Sequence, residues 1–138
     1  MHTPDTTSII LETMEIESGR KLVGRDIDPN DTNGGLTDPS FDGRWTNWGC
    51  TLATLRQHGI TTHPRDLTFK EAFDFYRDVF MERTGANGVL PLHPWLARLL
   101  FNYGVHAGYN AACKRLQMIL NLHNNGGARW PDIAEDGW

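Results

Sequence analysis

The stretch HPRDLTFKEAFDFYRDVFMERTG, from His63 to Gly85, decides the fold class of this chain. Its apolar side chains recur at steps of three and four residues, which places them on one face of a helix. These are Phe69, Ala72, Phe73, Tyr76, Val79 and Phe80. Asp66 or Thr68 can cap the start of the helix, and Thr68 with Glu71 has the spacing of a capping box. The stretch therefore predicts an amphipathic helix and favours a mainly α domain.

Further helical patterns lie on both sides of this stretch. Residues 6–19, TTSIILETMEIESG, predict a first helix that Gly19 can end. Residues 51–59, TLATLRQHG, predict a short helix before the central one. Residues 93–123 predict a long helical segment, with a break between Gly104 and Gly108.

The segment between the first two predicted helices has a different character. Residues 24–49 are punctuated by Gly, Pro, Asn and Asp, which predicts loop structure. Short strands are plausible in residues 20–27, RKLVGRDI, and residues 43–49, GRWTNWG, and they would pair as a hairpin with a long tip. The expected fold is thus mainly α, with a small β-hairpin or irregular segment after the first helix.

Composition narrows the class of function. A chain of 138 residues fits one domain, and a net charge of −4 does not favour a nucleic-acid partner. The two cysteines, Cys50 and Cys113, have no metal or redox spacing, so free buried thiols are expected. The six His residues show no zincin spacing, and we expect neither a metal nor an organic cofactor.

Targeting signals are not visible in the chain. The N-terminal residues lack a basic region followed by an apolar stretch, and no apolar run reaches the length of a bilayer span. We therefore expect synthesis in a cytoplasm, without a signal peptide and without membrane insertion.

Glu17 is the first candidate for chemistry. It stands near the predicted end of the first helix, next to the long loop. A general acid that protonates a glycosidic oxygen must keep its proton near neutral pH, and packing of a carboxyl group against apolar atoms achieves this. Glu12 and Glu15 lie on the same helix and are eligible too, and each of these residues is also compatible with a solvated surface role.

The loop that follows offers groups that could orient a water molecule. Hydrolysis with inversion needs an acid on one face of the sugar and a water-orienting group on the other, a task for a carboxylate helped by a hydroxyl. The candidates are Asp26, Asp28, Asp31, Thr32, Thr37 and Thr46. Their commonest use, however, is to form turns and caps.

A calcium loop is the alternative interpretation of the same residues. Asp26, Asp28 and Asn30 stand at alternate positions, as ligands of a calcium loop do. The sixth position, however, is Asp31 where such loops need Gly, and the twelfth is Thr37 where they have Glu. The spacing thus argues against a calcium site.

Aromatic residues are candidate sugar platforms. Flat aromatic faces pack against the apolar faces of sugar rings, and Trp45, Trp48 and Tyr103 could serve in this way. Asn47, between the two Trp residues, could bond an acetamido or hydroxyl group. The alternative is that these aromatic residues belong to the core.

Together these segments resemble the signature of the glycoside hydrolase family 108 muramidases, endolysin-type lysozymes of phages and bacteria. The signature runs Glu-Gly-Gly-Tyr, then Asp-Pro-x-Asp-x-Gly-Gly-x-Thr, then Asn-x-Gly-Ile-Thr. The matching segments are Glu17 to Gly19, DPNDTNGGLT at residues 28–37, and TNWGCT at residues 46–51. FYRDVFMERTG at residues 75–85 and the helical pair at residues 90–120 resemble later parts of the family. The likeness spans about residues 9–122.

The resemblance implies a lysozyme-like, mostly helical fold. It also implies cleavage of the β-1,4 bond between N-acetylmuramic acid and N-acetylglucosamine in peptidoglycan, with Glu17 as the acid. We expect a catalytic domain in residues 1–122. The tail of residues 123–138 resembles the opening of a peptidoglycan-binding segment, and we expect that segment to be truncated in this chain.

The departures from the signature concern the neighbours of the acid and the far helices. Ser18 and Arg20 replace a Gly and the Tyr of the first motif, while Asn102 and His106 stand where the family tends to have Asp and Asn. We nevertheless expect Asn102, Tyr103 and His106 to contact substrate, on a cleft wall opposite that of Trp45, Asn47 and Trp48.

An insertion near DPSFDGRWT leaves the partners of Glu17 open. Thr46 is favoured as the family Thr because it directly precedes the Asn-Trp-Gly triplet, with Thr37 as the alternative. Asp28 is favoured as the carboxylate, with Asp26 as the alternative. Glu17, Asp26 and Thr32 also reproduce the spacing of the T4-like phage lysozymes.

The expected partners follow from the resemblance. They are the glycan strands of peptidoglycan, reached from the host cytoplasm through a holin or carried to the cell wall and periplasm by a phage particle. The rival hypothesis, motivated by the departures, is a catalytically inactive lysozyme-fold protein. It would be a structural or cell-wall-binding part of a phage or secretion particle.

Overall fold

A computed structural model describes residues 3–37 and 44–123 of the chain. The predicted fold class is confirmed: the protein is mainly helical, with a two-stranded antiparallel sheet after the first helix. Two compact units are present, one formed by Thr7–Tyr76 and the other by the described parts of Met1–Thr6 and Arg77–Trp138. Residues 38–43, which hold most of the predicted insertion, and the tail from residue 124 lie outside the described residues.

The first unit contains most of the β structure and the loop. Its elements are α1 (Thr6–Ser18), β1 (Thr46–Asn47), β2 (Cys50–Thr51), α2 (Leu52–Gln57), a 3₁₀ turn (Pro64–Asp66) and α3 (Phe69–Phe75). Its buried core draws on both helices and loops, through Ile9, Ile10, Met14, Leu22, Trp48, Leu55, Leu67, Phe75 and Tyr76. The hairpin is therefore not an appendage, since Trp48 belongs to this core.

The second unit is helical. A π-helical turn, Tyr76–Met81, continues directly from α3 into this unit and is followed by α4 (Ala86–Val89), α5 (Pro94–Ala107) and α6 (Tyr109–His123). Its core includes Met81, Ala86, Ala97, Leu100, Phe101 and Ala112. Gly104 lies inside α5, where a Cβ atom would overlap the Thr84 side chain, and the chain breaks at Gly108 instead.

The ends of the helices follow the predicted signals. Thr68 caps α3, and the capping box with Glu71 is present in both directions. Gly19 follows α1 with a positive φ of 71°. Thr51, which was not predicted as a cap, caps α2 through a bond from the Thr54 amide. These signals act over a few residues, which is why the sequence is sufficient to find them.

The predicted strand in residues 20–27 is wrong. In its place, the amides of Leu22 and Val23 donate hydrogen bonds of 2.7 and 3.0 Å to Oε1 of Glu15. A carboxylate thus takes the amides that a strand partner would have needed. β1 pairs instead with β2, and residue 37 extends the sheet through a bridge to Thr46.

Among the described residues, none of the helices combines the length and the apolar character that a bilayer span requires.

Candidate functional site

The C-terminal turn of α1 presents two carboxylates that have different surroundings. Glu15 accepts the two loop amides of Leu22 and Val23, and the bond from Leu22 above all holds the pKa of Glu15 below its ordinary value. A carboxylate used in this way stabilises the chain reversal after α1. Glu15 is therefore committed to the fold, which separates it from Glu17.

Glu17 lies against the turn of the hairpin. A Cβ atom on Gly49 would stand 2.6 Å from Cβ and 3.1 Å from Cγ of Glu17, so the Glu17 stem rests directly on the Gly49 backbone. The same Cβ atom would stand 2.6 Å from the hydroxyl oxygen of Tyr76. Glu17 is partly buried. The contact explains why a glycine is required at this position of the TNWGCT segment.

The hairpin turn is held in a demanding conformation. Its two central residues, Trp48 and Gly49, have φ values of 53° and 76°, and a two-residue type I′ turn needs positive φ at both. A tryptophan is costly there, because its Cβ atom crowds the backbone. The Trp48 amide donates to the Gly34 carbonyl at 2.8 Å, and the Trp48 indole N–H donates to the Leu67 carbonyl at 3.1 Å.

Tyr76 secures the same turn from the side of α3. Its hydroxyl donates a 2.8 Å hydrogen bond to the Trp48 carbonyl, and the side chain is almost fully buried. Burial is the main reason why the pKa of Tyr76 is well above its ordinary value, and the nearby Cys50 and Glu17 act in the same direction. Tyr76 is therefore a neutral donor at the turn.

Cys50 sits beside this group as a buried free thiol, as predicted. Burial raises the pKa of Cys50 to about 12, and the charge of Glu17 contributes in the same direction. A thiol that stays protonated is a poor nucleophile. The stem of Glu17 lies beside this cluster, since Glu17 and the Tyr76 hydroxyl both border Gly49. Cys113, the other free cysteine, is only partly buried.

The Gly-Gly pair of the loop fits between the hairpin and α1. A Cβ atom on Gly34 would overlap the Trp48 indole, and one on Gly35, whose φ is 74°, would stand 2.6 Å from the Ser18 carbonyl oxygen. Neither position accepts a larger residue without movement of the backbone or of the indole. The pair brings the loop to the end of α1 that bears Glu17.

Asn47 ties the loop to the hairpin from inside the protein. Its Nδ2 donates to the carbonyls of Thr32 at 2.7 Å and Pro64 at 2.8 Å, and its Oδ1 accepts from the Gly34 amide at 2.8 Å. Asn47 and Trp48 are both fully buried. In this structure the two side chains stabilise the loop, and neither of them reaches the surface to meet a sugar.

Arg20 fixes the loop from its outer side. Its Nη1 donates to Asp31 Oδ2 at 2.8 Å and to the Asn33 carbonyl at 2.6 Å, while the guanidinium lies 5.4 Å from the centre of the Trp48 ring. The hydrogen bond from Arg20, followed by that from the Asn33 amide, holds the pKa of Asp31 below its ordinary value. Asp31 is thus an anchor for the loop.

Asp26 and Asp28 are both exposed. Oδ1 of Asp28 accepts from the Asn30 amide at 2.9 Å, which is a local turn bond. Asp26 lines a cavity of about 360 Å³ together with Leu11 of α1. At about 100° per residue, Glu17 is rotated about 120° from Leu11 around the helix axis. The cavity beside Asp26 and the Glu17 side chain therefore lie on different faces of α1.

The two Thr alternatives are neighbours across the small sheet. Thr37 and Thr46 exchange backbone hydrogen bonds of 2.8 and 3.0 Å, and Thr46 stands opposite Thr51 in the register of β1 and β2. Directly opposed residues share a face of a sheet, so these three Thr side chains lie on one face and the Asn47 and Cys50 side chains on the other. Thr32 is exposed and contributes its carbonyl to Asn47.

Trp45 is the predicted platform of the first unit that keeps an accessible surface. It is partly buried, and its ring meets His63 edge to face with the ring centres 4.8 Å apart. The Trp45 carbonyl also accepts from the Leu52 amide at 3.1 Å, which fixes the backbone next to β1.

The three candidates of the second unit line one groove. Asn102, Tyr103 and His106 lie along a cavity of about 490 Å³ between α5 and α6. The other lining side chains are apolar apart from Arg115. A ligand in this groove would rest mainly on apolar surface, with Tyr103, which is 40% exposed, available for contact.

The structure does not assemble the residues of the calcium alternative. Within residues 3–37 and 44–123, no group of three His, Cys, Asp or Glu side chains is placed to hold a metal ion.

Three residues that shape the site were not singled out from the sequence for this role. Gly49 contacts the Glu17 stem, Tyr76 donates a hydrogen bond to the hairpin turn, and Arg20 fixes the loop. A signal for Gly49 existed in its place between Trp48 and Cys50, where a two-residue turn favours glycine. Tyr76 matched a helix face and therefore suggested core packing only.

Comparison with known proteins gives one result for this region. The sequence model of a family described as Glycosyl hydrolase 108 matches residues 13–108, which include the end of α1, the loop, the hairpin and the helices up to α5. No curated protein matches the chain.

Proposed function

The chain belongs to the glycosyl hydrolase 108 family and is a peptidoglycan hydrolase of lysozyme type, and on that premise we propose how it acts. It cleaves the β-1,4 bond between N-acetylmuramic acid and N-acetylglucosamine, with Glu17 as the general acid. Its biological role in this proposal is that of an endolysin, which opens a bacterial cell wall for a phage.

The observation that carries the assignment is the placement of Glu17. Its stem is confined between α1 and the hairpin turn, with Gly49 in direct contact, and the residue is only partly exposed. Glu15, two residues earlier, is occupied by the amides of Leu22 and Val23. A confined carboxyl group beside a loop suits directional proton transfer, which depends on geometry first.

The reaction proceeds as a hydrolysis with one proton delivered and one removed. The Glu17 carboxyl proton passes to the glycosidic oxygen while the bond between that oxygen and the sugar C1 breaks. A water molecule attacks C1, and its proton leaves to the second carboxylate. The sum is one water consumed and two hydroxyl groups formed.

The second carboxylate in this proposal is Asp28, with Asp26 as the alternative, and Thr46 helps to hold the water. Asp26 and Asp28 are both exposed, whereas Asp31 is engaged by Arg20. Asp28 is preferred because the cavity beside Asp26 lies on a different face of α1 from Glu17. Thr46 is backed by its neighbour Thr37 across the sheet, so a hydroxyl is present at that face with either register.

Sugar contact is assigned to the accessible aromatic residues. Trp45 serves the first unit, since Asn47 and Trp48 are buried. In the second unit, Tyr103 offers an exposed ring, and Asn102 and His106 offer polar groups in the same groove. Aromatic surface with a few polar groups is the usual composition of a sugar site.

Replacement of the acid tests the proposal. Glu17→Gln keeps the shape of the side chain but removes its proton donor, so we expect kcat on purified peptidoglycan to fall by roughly a hundredfold or more. Release of reducing ends measures the rate, and analysis of the new ends shows which bond is cut. Glu15→Gln is the matched control and should lose stability while it keeps turnover. A Glu17→Gln protein with wild-type turnover would refute the assignment.

The same assay identifies the second carboxylate. Asp28→Asn should lower kcat strongly and Asp31→Asn only through the stability of the loop, while a strong effect of Asp26→Asn would select the alternative. Peptidoglycan binding without turnover, by the wild type and by Glu17→Gln alike, would instead favour the non-catalytic wall-binding function.

A further inference from the structure

We propose that the Trp48–Gly49 turn, held by the Tyr76 hydroxyl, fixes the position of the Glu17 side chain. Tyr76 is therefore a positioning residue for the acid. The inference rests on the proposed role of Glu17 and adds a residue from α3 that acts through the turn. Tyr76 does not touch the substrate in this scheme. It determines where the acid stands.

The contact between the turn and Glu17 leaves little freedom to the stem of the acid. An added Cβ atom on Gly49 would stand 2.6 Å from Cβ of Glu17 and 2.6 Å from the Tyr76 hydroxyl oxygen. Because Gly49 has no side chain, the Glu17 stem and the Tyr76 hydroxyl can both occupy the space beside it. A shift of the Gly49 backbone moves the surface on which Glu17 rests.

The turn needs its anchors because its conformation is strained. Trp48 holds a φ of 53°, which a non-glycine residue adopts at a cost and keeps only when its surroundings determine it. Three hydrogen bonds do so: the Trp48 amide to Gly34, the indole to Leu67, and the Tyr76 hydroxyl to the Trp48 carbonyl. The Tyr76 bond is made at the peptide unit that joins Trp48 to Gly49, and the Cys50 thiol donates a longer bond of 3.9 Å to the same carbonyl.

Burial makes this anchor persistent. Tyr76 is 2% exposed and Cys50 is 2% exposed, so neither side of the cluster is open to bulk water. A buried hydrogen bond to a carbonyl is seldom exchanged for water, because the unbonded carbonyl would be left in a dry site. The Tyr76 hydroxyl thus stabilises the turn more than a hydrogen bond in water would.

Tyr76→Phe removes the hydroxyl and little else. Because positioning of an acid controls the rate of proton transfer, we expect kcat to fall by roughly ten- to a hundredfold, with KM changed less than about twofold. Tyr109→Phe is the control, because Tyr109 lies in α6 and takes no part in the turn. It should keep the wild-type kcat and KM.

A pair of glycines separates contact from backbone strain. Gly49→Ala and Gly59→Ala introduce the same strain, since the φ values are 76° and 75°, but an added Cβ atom meets Glu17 and Tyr76 only at Gly49. At Gly59 nothing lies within 4 Å. We expect Gly49→Ala to lose at least tenfold more kcat than Gly59→Ala when both are assayed well below their Tm.

The outcomes keep this inference separate from the proposed function. If Glu17→Gln is inactive while Tyr76→Phe has the wild-type kcat and KM, the positioning role of Tyr76 is refuted and Glu17 remains the acid. Equal losses in Gly49→Ala and Gly59→Ala would refute it as well. An active Glu17→Gln protein would remove the proposed function itself. If Gly49→Ala does not fold, Tyr76→Phe decides the question.

Discussion

Asn47 shows how much of this site depends on one side chain. The amide is fully buried and satisfies two carbonyls and one amide of residues that lie 13 to 17 positions away in the chain. Without Asn47, the Gly34 amide would be buried without its acceptor, which costs more than a hydrogen bond contributes on average. At the scale of the residue, Asn47 is a structural centre of the loop.

Asn47→Ala should therefore be one of the most damaging substitutions in the first unit. It leaves the buried Gly34 amide without its acceptor and removes a donor from the Thr32 and Pro64 carbonyls, of which the second keeps the Leu67 amide. We expect a loss of about 2 kcal/mol or more in the free energy of unfolding. Denaturant titration measures the loss. Asn33→Ala, at an exposed position of the same loop, should stay within about 0.5 kcal/mol of the wild type. Similar losses in the two variants would contradict the role of Asn47.

At the scale of the element, the start of α3 also depends on hydrogen bonds to distant backbone groups. The first four amides of a helix have no partner within it. Here Phe69 donates to the Asp31 carbonyl at 2.8 Å and Lys70 to the Pro29 carbonyl at 3.1 Å, while Glu71 and Ala72 donate to Thr68. The loop that follows α1 thus completes the helix, and the helix in turn holds the loop.

Removal of the cap tests this coupling. Thr68→Ala loses the bond from the Glu71 amide and should cost about 1 kcal/mol of stability. Thr61→Ala, at an exposed position before the 3₁₀ turn, should cost little. Thermal unfolding of the two variants side by side gives the comparison. Equal Tm values for Thr68→Ala and the wild type would show that the loop carbonyls suffice without the cap.

At the scale of the whole molecule, stability should depend on pH from both sides. Hydrogen bonds to the charged forms of Glu15 and Asp31 lower their pKa values in the folded protein. The stability that these carboxylates contribute is therefore present above their ordinary pKa values, and it is lost as the pH falls through the lower folded pKa values. Burial raises the pKa of Cys50 to about 12 and that of Tyr76 as well. The stability that Cys50 and Tyr76 contribute is present below their ordinary pKa values, and it is lost as the pH rises above them.

Asp31→Asn isolates the acid side of this dependence. Near neutral pH the variant should be less stable than the wild type, because the ion pair with Arg20 is lost. The difference should shrink as the pH falls below about 4, because the Asp31 carboxylate takes up its proton first in the unfolded chain and only at a lower pH in the folded protein. Denaturant titrations at a series of pH values measure it. A difference that stays constant down to pH 2 would show that the charge of Asp31 does not matter.

More of the helical fold than of the site could be predicted from the sequence. The cap at Thr68, the stop at Gly19 and the break at Gly108 were predictable because helix signals act between residues a few positions apart. The strand expected in residues 20–27 failed because the Glu15 side chain takes two amides of that segment, a choice that no period of hydrophobicity records. Asn47 and Trp48 were predicted to face a sugar, and they are interior residues instead.

By itself, the sequence determined the mainly α class, the resemblance to a glycoside hydrolase family and the candidacy of Glu17, since these depend on local periodicity and on the order of short motifs. Only the tertiary structure decided that Glu15 accepts hydrogen bonds from the loop, that Asp31 pairs with Arg20, and that Glu17 packs against Gly49. The physical reason is distance along the chain. Gly49 stands 32 positions after Glu17, and only packing brings their atoms into contact.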